Sequence, residues 1–244
     1  MRLGFCLALC AATMFGYESV AKYEVKYSWF DMGDATASLK IDGDRYETEV
    51  SAKSKGLAAT FSGNRKETYK SSGAIIDGVF VPEKYEHWYS SGDNTSYTSV
   101  FFDHNNSQAM QMKEKCEEKK CKYESSMLTG EKYAQNDMLS LYHNVTRNFA
   151  NSGMKSIEAA AIGSKKRARV EIAEDKHLKT AKSIFKNSDG TYLVVFLNQE
   201  IFSSKDGALY INLGEDAIVE KAVLLDTILF GDVIGELKEK RIVP

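Results

Sequence analysis

Tyr23-Glu24-Val25-Lys26-Tyr27-Ser28-Trp29-Phe30-Asp31-Met32-Gly33 runs on into Asp34-Ala35-Thr36-Ala37-Ser38-Leu39-Lys40-Ile41-Asp42-Gly43-Asp44-Arg45-Tyr46-Glu47-Thr48-Glu49-Val50. Apolar and polar residues alternate along it with period two, the mark of half-buried β-strands. Asp42-Gly43-Asp44 interrupts two such runs. It reads as a hairpin turn, because glycine takes the positive φ that a tight turn requires. The stretch predicts a mainly β protein and names no reaction.

Outward from it, the pattern repeats. Val79-Phe80-Val81-Pro82-Glu83-Lys84-Tyr85-Glu86-His87-Trp88-Tyr89 and Tyr97-Thr98-Ser99-Val100-Phe101-Phe102-Asp103 alternate again, divided by Ser91-Gly92-Asp93-Asn94. Lys53 to Ala59 reads as a break between strands. Turns recur about every 8–15 residues, as in a sandwich, a barrel or a long curled sheet. The pattern changes once, after Asn136-Asp137. Met138, Leu141, Tyr142, Val145 and Phe149 then recur at three- and four-residue steps, predicting a helix of roughly three turns with one apolar face. Asp137 suits its N-cap and Asn151-Ser152-Gly153 its end. Those five residues are expected either to pack a core or to face a hydrophobic groove that the helix lids.

The second half returns to strands. Lys165 to Ile172 reads as a solvated strand face, since its charges alternate with small or apolar residues. Ser188-Asp189-Gly190, Lys205-Asp206-Gly207 and Gly214-Glu215-Asp216 read as turns before apolar runs from Thr191, Ala208 and Ile218. The ending around Phe230-Gly231 echoes Trp29 to Leu39, with an aromatic before a Gly and then a strand ending in Leu. Nothing resembles a flexible linker, so residues 22–244 read as one curled antiparallel domain with one short amphipathic helix.

The N-terminus reads as an address. Arg2 precedes an apolar run from Leu3 to Gly16, too short to anchor in a bilayer. Ser19 and Ala21 stand at the small-residue positions of a cleavage site between Ala21 and Lys22, making residues 1–21 a signal peptide and the expected destination the periplasm. Phe5 and Leu9 precede Cys6 and Cys10, where a lipidation signal needs a small residue. Beyond this leader Cys116 and Cys121 remain. In an oxidising compartment a disulfide is the expected state, with free thiols the alternative. Two cysteines fall short of a structural zinc site.

The 244 residues suffice to bury a sizeable core. A net charge of −2 gives no basic footprint for nucleic acid. Thirteen Tyr and 12 Phe against two Pro favour strands over disorder. No His-Glu-x-x-His, Gly-x-Ser-x-Gly or phosphate loop occurs, and no cofactor or metal is expected. Asp103-His104-Asn105-Asn106 reads as a polar turn rather than a metal ligand set. Glu83, Glu86 and His87 form the only carboxylate–histidine group worth placing in space.

Several of these motifs carry a family resemblance. Tyr27-Ser28-Trp29-Phe30 through Gly33-Asp34-Ala35-Thr36-Ala37 resembles the opening of the bacterial exported family of domain of unknown function 3108. Asp42-Gly43-Asp44-Arg45-Tyr46 resembles its first hairpin, and Asp137-Met138-Leu139-Ser140-Leu141-Tyr142 its Asp-Pro-Leu-Ser segment, with Met138 where Pro is usual. Leu209-Tyr210-Ile211-Asn212-Leu213 and Phe230-Gly231 resemble its closing strands, although the Pro often found near Ile218 to Leu224 is missing. The resemblance implies a curled sheet, spiral or open barrel, with a helix against its inner face. It carries no catalytic residues. The leader, the strand pattern, the single amphipathic helix and the missing catalytic motifs together lead to the expectation of a non-enzymatic periplasmic protein, soluble or membrane-associated, that supports the envelope by binding a lipid, a lipoprotein or a protein partner. A hydrolase with an unrecognised site and an envelope assembly scaffold are the alternatives.

Overall fold

The computed structural model describes residues 16–118, 120–162, 168–186, 188–196, 208–227 and 231–243. Most of the leader, the first residues of the Lys165 run and the Lys205-Asp206-Gly207 turn lie outside them. Fourteen antiparallel strands form one sheet in the order β8-β7-β6-β5-β4-β3-β2-β1-β14-β13-β12-β11-β10-β9. The first meander is β1 (Tyr17–Tyr27), β2 (Phe30–Asp42), β3 (Arg45–Ser54), β4 (Lys66–Ile76), β5 (Val79–Ser91), β6 (Asn94–Asp103), β7 (Gln108–Glu117) and β8 (Lys120–Thr129). The second is β9 (Ser156–Ala159), β10 (Ala168–Ile172), β11 (Thr191–Phe196), β12 (Ala208–Leu213), β13 (Val219–Thr227) and β14 (Gly231–Val243). Pairing of β1 with β14 joins the two, so the first and last strands lie side by side mid-sheet. The sheet ends on β8 and β9 and is not closed.

Among the described residues three α-helices decorate it. The helix after Asp137 is α2 (Met138–His143), which widens into a π-helical turn over Asn144–Phe149. The expected bounds hold and the winding of the second half differs. Two helices join it: α1 (Gly56–Phe61) and α3 (Asp175–Ile184). Six residues of α1 hold less than two turns, too few for a period to emerge where the sequence reads as a break. In α3 the step Leu178, Ala181, Ile184 is diluted by lysines.

Packing explains the two textures of strand. In β11, Leu193 faces Val145 and Phe149 on one side of the sheet. Its neighbours Tyr192 and Val194 face Ala181 and Phe185 of the α3 region on the other. Both faces are covered, so the run is apolar throughout. In β1–β4 the alternation survives, because one face meets water.

The expected cleavage position falls within β1. Ala21 is buried mid-strand, paired with Ala37 on β2 and Lys240 on β14. Tyr17 is held by Arg147, whose Nη2 donates to its hydroxyl at 2.9 Å. Cleavage between Ala21 and Lys22 would divide β1 and strip five residues from two neighbours. Among the described residues no helix is long and apolar enough to cross a membrane.

Candidate functional site

The inner face is the one that α2 packs against. One register row crosses it through Leu193, Ile211, Ala222, Gly235, Val25, Gly33 and Ser54. The middle of that row carries small side chains, and so does the next, with Ala35 opposite Ala52. Small residues on a curled inner face leave a hollow that large ones would fill. Gly33 cannot carry even a methyl group: a Cβ there would lie 2.1 Å from the Lys53 carbonyl oxygen.

A cavity of about 360 Å³ occupies this region, within the range of small-molecule sites. Val25, Met32, Gly33, Ala52, Ala58 and Tyr69 supply its apolar wall. Arg65, Glu67, Lys53 and Asp34 supply its polar rim. α1 stands beside it, tied to β2 where the Lys55 amide donates to the Met32 carbonyl at 3.0 Å. On α1, Leu57 and Phe61, chain neighbours of the lining residues Ala58 and Ser62, are 62% and 88% exposed, and Trp29 in the β1–β2 turn is 78% exposed. Trp29 stacks on Phe30 with ring centroids 3.8 Å apart.

The rim charges are paired. Arg65 Nε donates to Glu67 Oε1 at 2.6 Å, the Tyr69 hydroxyl donates to Glu67, and His87 Nε2 lies 3.2 Å from Glu67 Oε2. The His87 ring, with Tyr69 and Arg65, holds the Glu67 carboxyl down at about 2 against the burial that pushes it up. Burial and the neighbouring carboxylate push the Tyr69 hydroxyl well above its usual range. Tyr69 and His87 stack nearly parallel at 4.3 Å. A carboxylate held ionised by three donors is neither a general acid at neutral pH nor a free base. It fixes the rim.

The other residues of interest disperse. Glu83 forms a bidentate pair with Arg45 at 2.5 and 2.6 Å. Glu86 accepts from Tyr97 at 2.6 Å on the outer face, while His87 points inward. Adjacent strand residues face opposite ways, so Glu83, Glu86 and His87 do not converge. His104 bridges Tyr133 and the Pro82 carbonyl at 2.8 and 2.6 Å, and Asp103 caps its own turn through Asn106. Cys116 and Cys121 form a disulfide with S–S 2.05 Å at the end of the β7–β8 hairpin. Glu114 lies near both sulfurs, but the bond between them leaves no thiolate pair for a metal.

The helix residues take several places. Val145 and Phe149 are buried against β10–β13, and Leu141 and Tyr142 pack beside them. Met138 is exposed. Beneath α2 only about 30 Å³ remains, between Leu139, Tyr142, His143 and the residues Ala21, Leu39, Thr48 and Val50. Of the five, Tyr142 lines this small gap, and the hollow described above lies along the sheet, beside α1. The face of α2 toward β3 and β4 is polar. Asp137 caps the helix, accepting from the Leu139 and Ser140 amides at 2.7 and 3.0 Å. It also accepts from Ser71 Oγ at 2.6 Å, which in turn lies 3.0 Å from the Tyr46 hydroxyl. Burial pushes the Asp137 carboxyl up, while Ser71 and the helix amides pull the other way. His143 Nε2 lies 2.9 Å from Thr48 Oγ1, whose proton goes to the Ser38 carbonyl at 2.8 Å. The ring therefore donates from Nε2.

Residues 22–130 match the family model described as "Protein of unknown function (DUF3108)". The resemblance to the DUF3108 family therefore holds over these residues. The match runs from within β1 to the end of β8 and takes in the whole wall of the hollow, whereas the resemblance of the closing strands falls beyond it. Among curated proteins none matches the chain. Among solved structures it is similar to the crystal structure of a beta-barrel-like protein of domain of unknown function DUF1849 from Brucella abortus. The two share 10% identity and a TM-score of 0.47, over 94% of this chain and 98% of that one.

Proposed function

We propose that this protein is a non-enzymatic, exported protein of the cell envelope that binds a lipid-like apolar ligand in the hollow of its inner sheet face. The carrying observation is the cavity of about 360 Å³, whose wall is apolar and whose rim charges are already paired. A recess of small side chains without free donors favours an acyl chain over a polar substrate. The exposed Leu57 and Phe61 on α1, with Trp29 and Phe30 at the β1–β2 turn, suit the headgroup level of a bilayer, where aromatic rings concentrate. Each described histidine is engaged by Glu67, Tyr133, Thr48 or Tyr210, which favours binding over hydrolysis.

The test is native mass spectrometry of protein gently released from cells, paired with uptake of a fluorescent fatty acid. Wild type is expected to carry a lipid-mass adduct and to take up the probe. Ala52→Phe, which fills the hollow, is expected to lose both while keeping the β-type circular dichroism. An adduct-free wild type that ignores the probe refutes the reading.

A further inference from the structure

The sheet has an open edge of unusual make. β8 is the last strand on its side, and Lys120 to Met127 are exposed along its length. Among the described residues no strand pairs with its far side. Such an edge offers a row of unsatisfied amides and carbonyls to any strand that fits. Lys120 and Lys122 carry the charge that guards such an edge, but Glu124 follows on the same face.

The disulfide fixes which groups are offered. Cys116 and Cys121 are opposite one another with Cα atoms 4.0 Å apart. That close spacing belongs to a non-hydrogen-bonded pair, in which the main-chain groups point away from the partner strand. Cys121 therefore turns its amide and carbonyl outward. The β7–β8 register is unbroken, so Tyr123, Ser125 and Met127 do the same.

We propose that β8 is a homodimer edge, pairing antiparallel with β8 of a second copy about a two-fold axis at Tyr123. In that register Tyr123 faces Tyr123 of the second copy and Cys121 faces Ser125. All of these present outward groups, giving about six main-chain hydrogen bonds. Lys122 then lies opposite Glu124 of the second copy, and the axis repeats the pair. Sliding the copies by one pairing step either way sets Lys122 against Lys122, with Lys120 against Glu124 on both sides of it, or Glu124 against Glu124. The register at Tyr123 is the one of the three that puts no like charges directly opposite, a placement that destabilises a strand pair. The outer face continues across the joint. Trp88, Tyr97, Glu114 and Tyr123 share one register row, and Phe101, Met110 and Met127 share another. Tyr123 is 73% exposed and the two methionines are exposed, so both apolar rows run uncovered to the edge that the second copy would extend.

The experiment is sedimentation equilibrium of the disulfide-closed protein over a concentration series reaching the high micromolar range. Wild type is expected to self-associate to a dimer. Glu124→Lys and Lys122→Glu, each turning two attractive pairs into repulsive ones, are expected to weaken association about tenfold or more. The double variant Lys122→Glu/Glu124→Lys restores it. Ser125→Pro removes an outward amide and leaves the β7–β8 ladder intact, and it is expected to give monomer with an unchanged circular dichroism spectrum. A wild type that stays monomeric throughout overturns the proposal. So does a dimer that Ser125→Pro or either single charge reversal leaves unchanged, or one that the double variant fails to restore.

Discussion

Acid should loosen this fold through His143, and by an amount the structure sets. Its ring is enclosed by Thr48, Phe80 and Tyr142, with Arg147 one helical turn away. Burial, helped by the Arg147 charge, lowers its pKa from 6.5 to about 3. The unfolded chain therefore binds the proton that the folded chain refuses, between those two values. Stability falls as pH drops from 6.5 toward 3 and is unaffected by this group above 6.5. At about 1.4 kcal/mol per pH unit, the loss is about 2 kcal/mol at pH 5 and about 5 kcal/mol by pH 3. Asp137 has the opposite sign, because its raised carboxyl pKa favours proton uptake in the folded state. Comparison with His143→Leu cancels such background. The variant is expected to lose about 1 kcal/mol at pH 7, from the hydrogen bond to Thr48. It should overtake wild type near pH 6. Urea unfolding of both proteins at several pH values reads this directly. Parallel stability curves between pH 6.5 and 4 would refute the buried neutral imidazole.

Three other outcomes follow from the geometry. Asp137→Ala removes a helix cap and leaves Ser71 without its acceptor, and should cost about 2–4 kcal/mol in urea unfolding at pH 7. A loss within measurement error would show that the carboxylate is not buried as described. Gly33→Ala drives a methyl group into the Lys53 carbonyl, and should cost about 1–3 kcal/mol and weaken fatty-acid uptake together. Intact-mass analysis of the protein recovered from cells should place its first residue ahead of Tyr17, preserving β1 whole. A mature chain starting at Lys22 would mean that six residues of β1 suffice.

Strand alternation is a local property, so the meander through β6 and the turn at Asp42-Gly43-Asp44 were legible in the sequence. The helix after Asp137 was equally legible, because a cap and an apolar stripe are both written within twelve residues. The cysteine pair was readable from its spacing and the structure closes it. The candidate site was not legible. Val25, Gly33, Ala52 and Tyr69 come from four strands and look individually ordinary. Glu67 is passed over in a polar run until Arg65, Tyr69 and His87 are seen around it. α1 was hidden by its shortness, and the burial of Ala21 by its resemblance to a cleavage motif.

Periodicity, capping and composition act between near neighbours in the chain, and by themselves they determined a mainly β protein with a capped helix at its middle. Which strands pair, which end of the helix meets Ser71 and Thr48, and where small side chains line up to leave a hollow were decided only by the tertiary structure. Those are relations across register, between residues as far apart as Val25 and Gly235, and no local pattern encodes them.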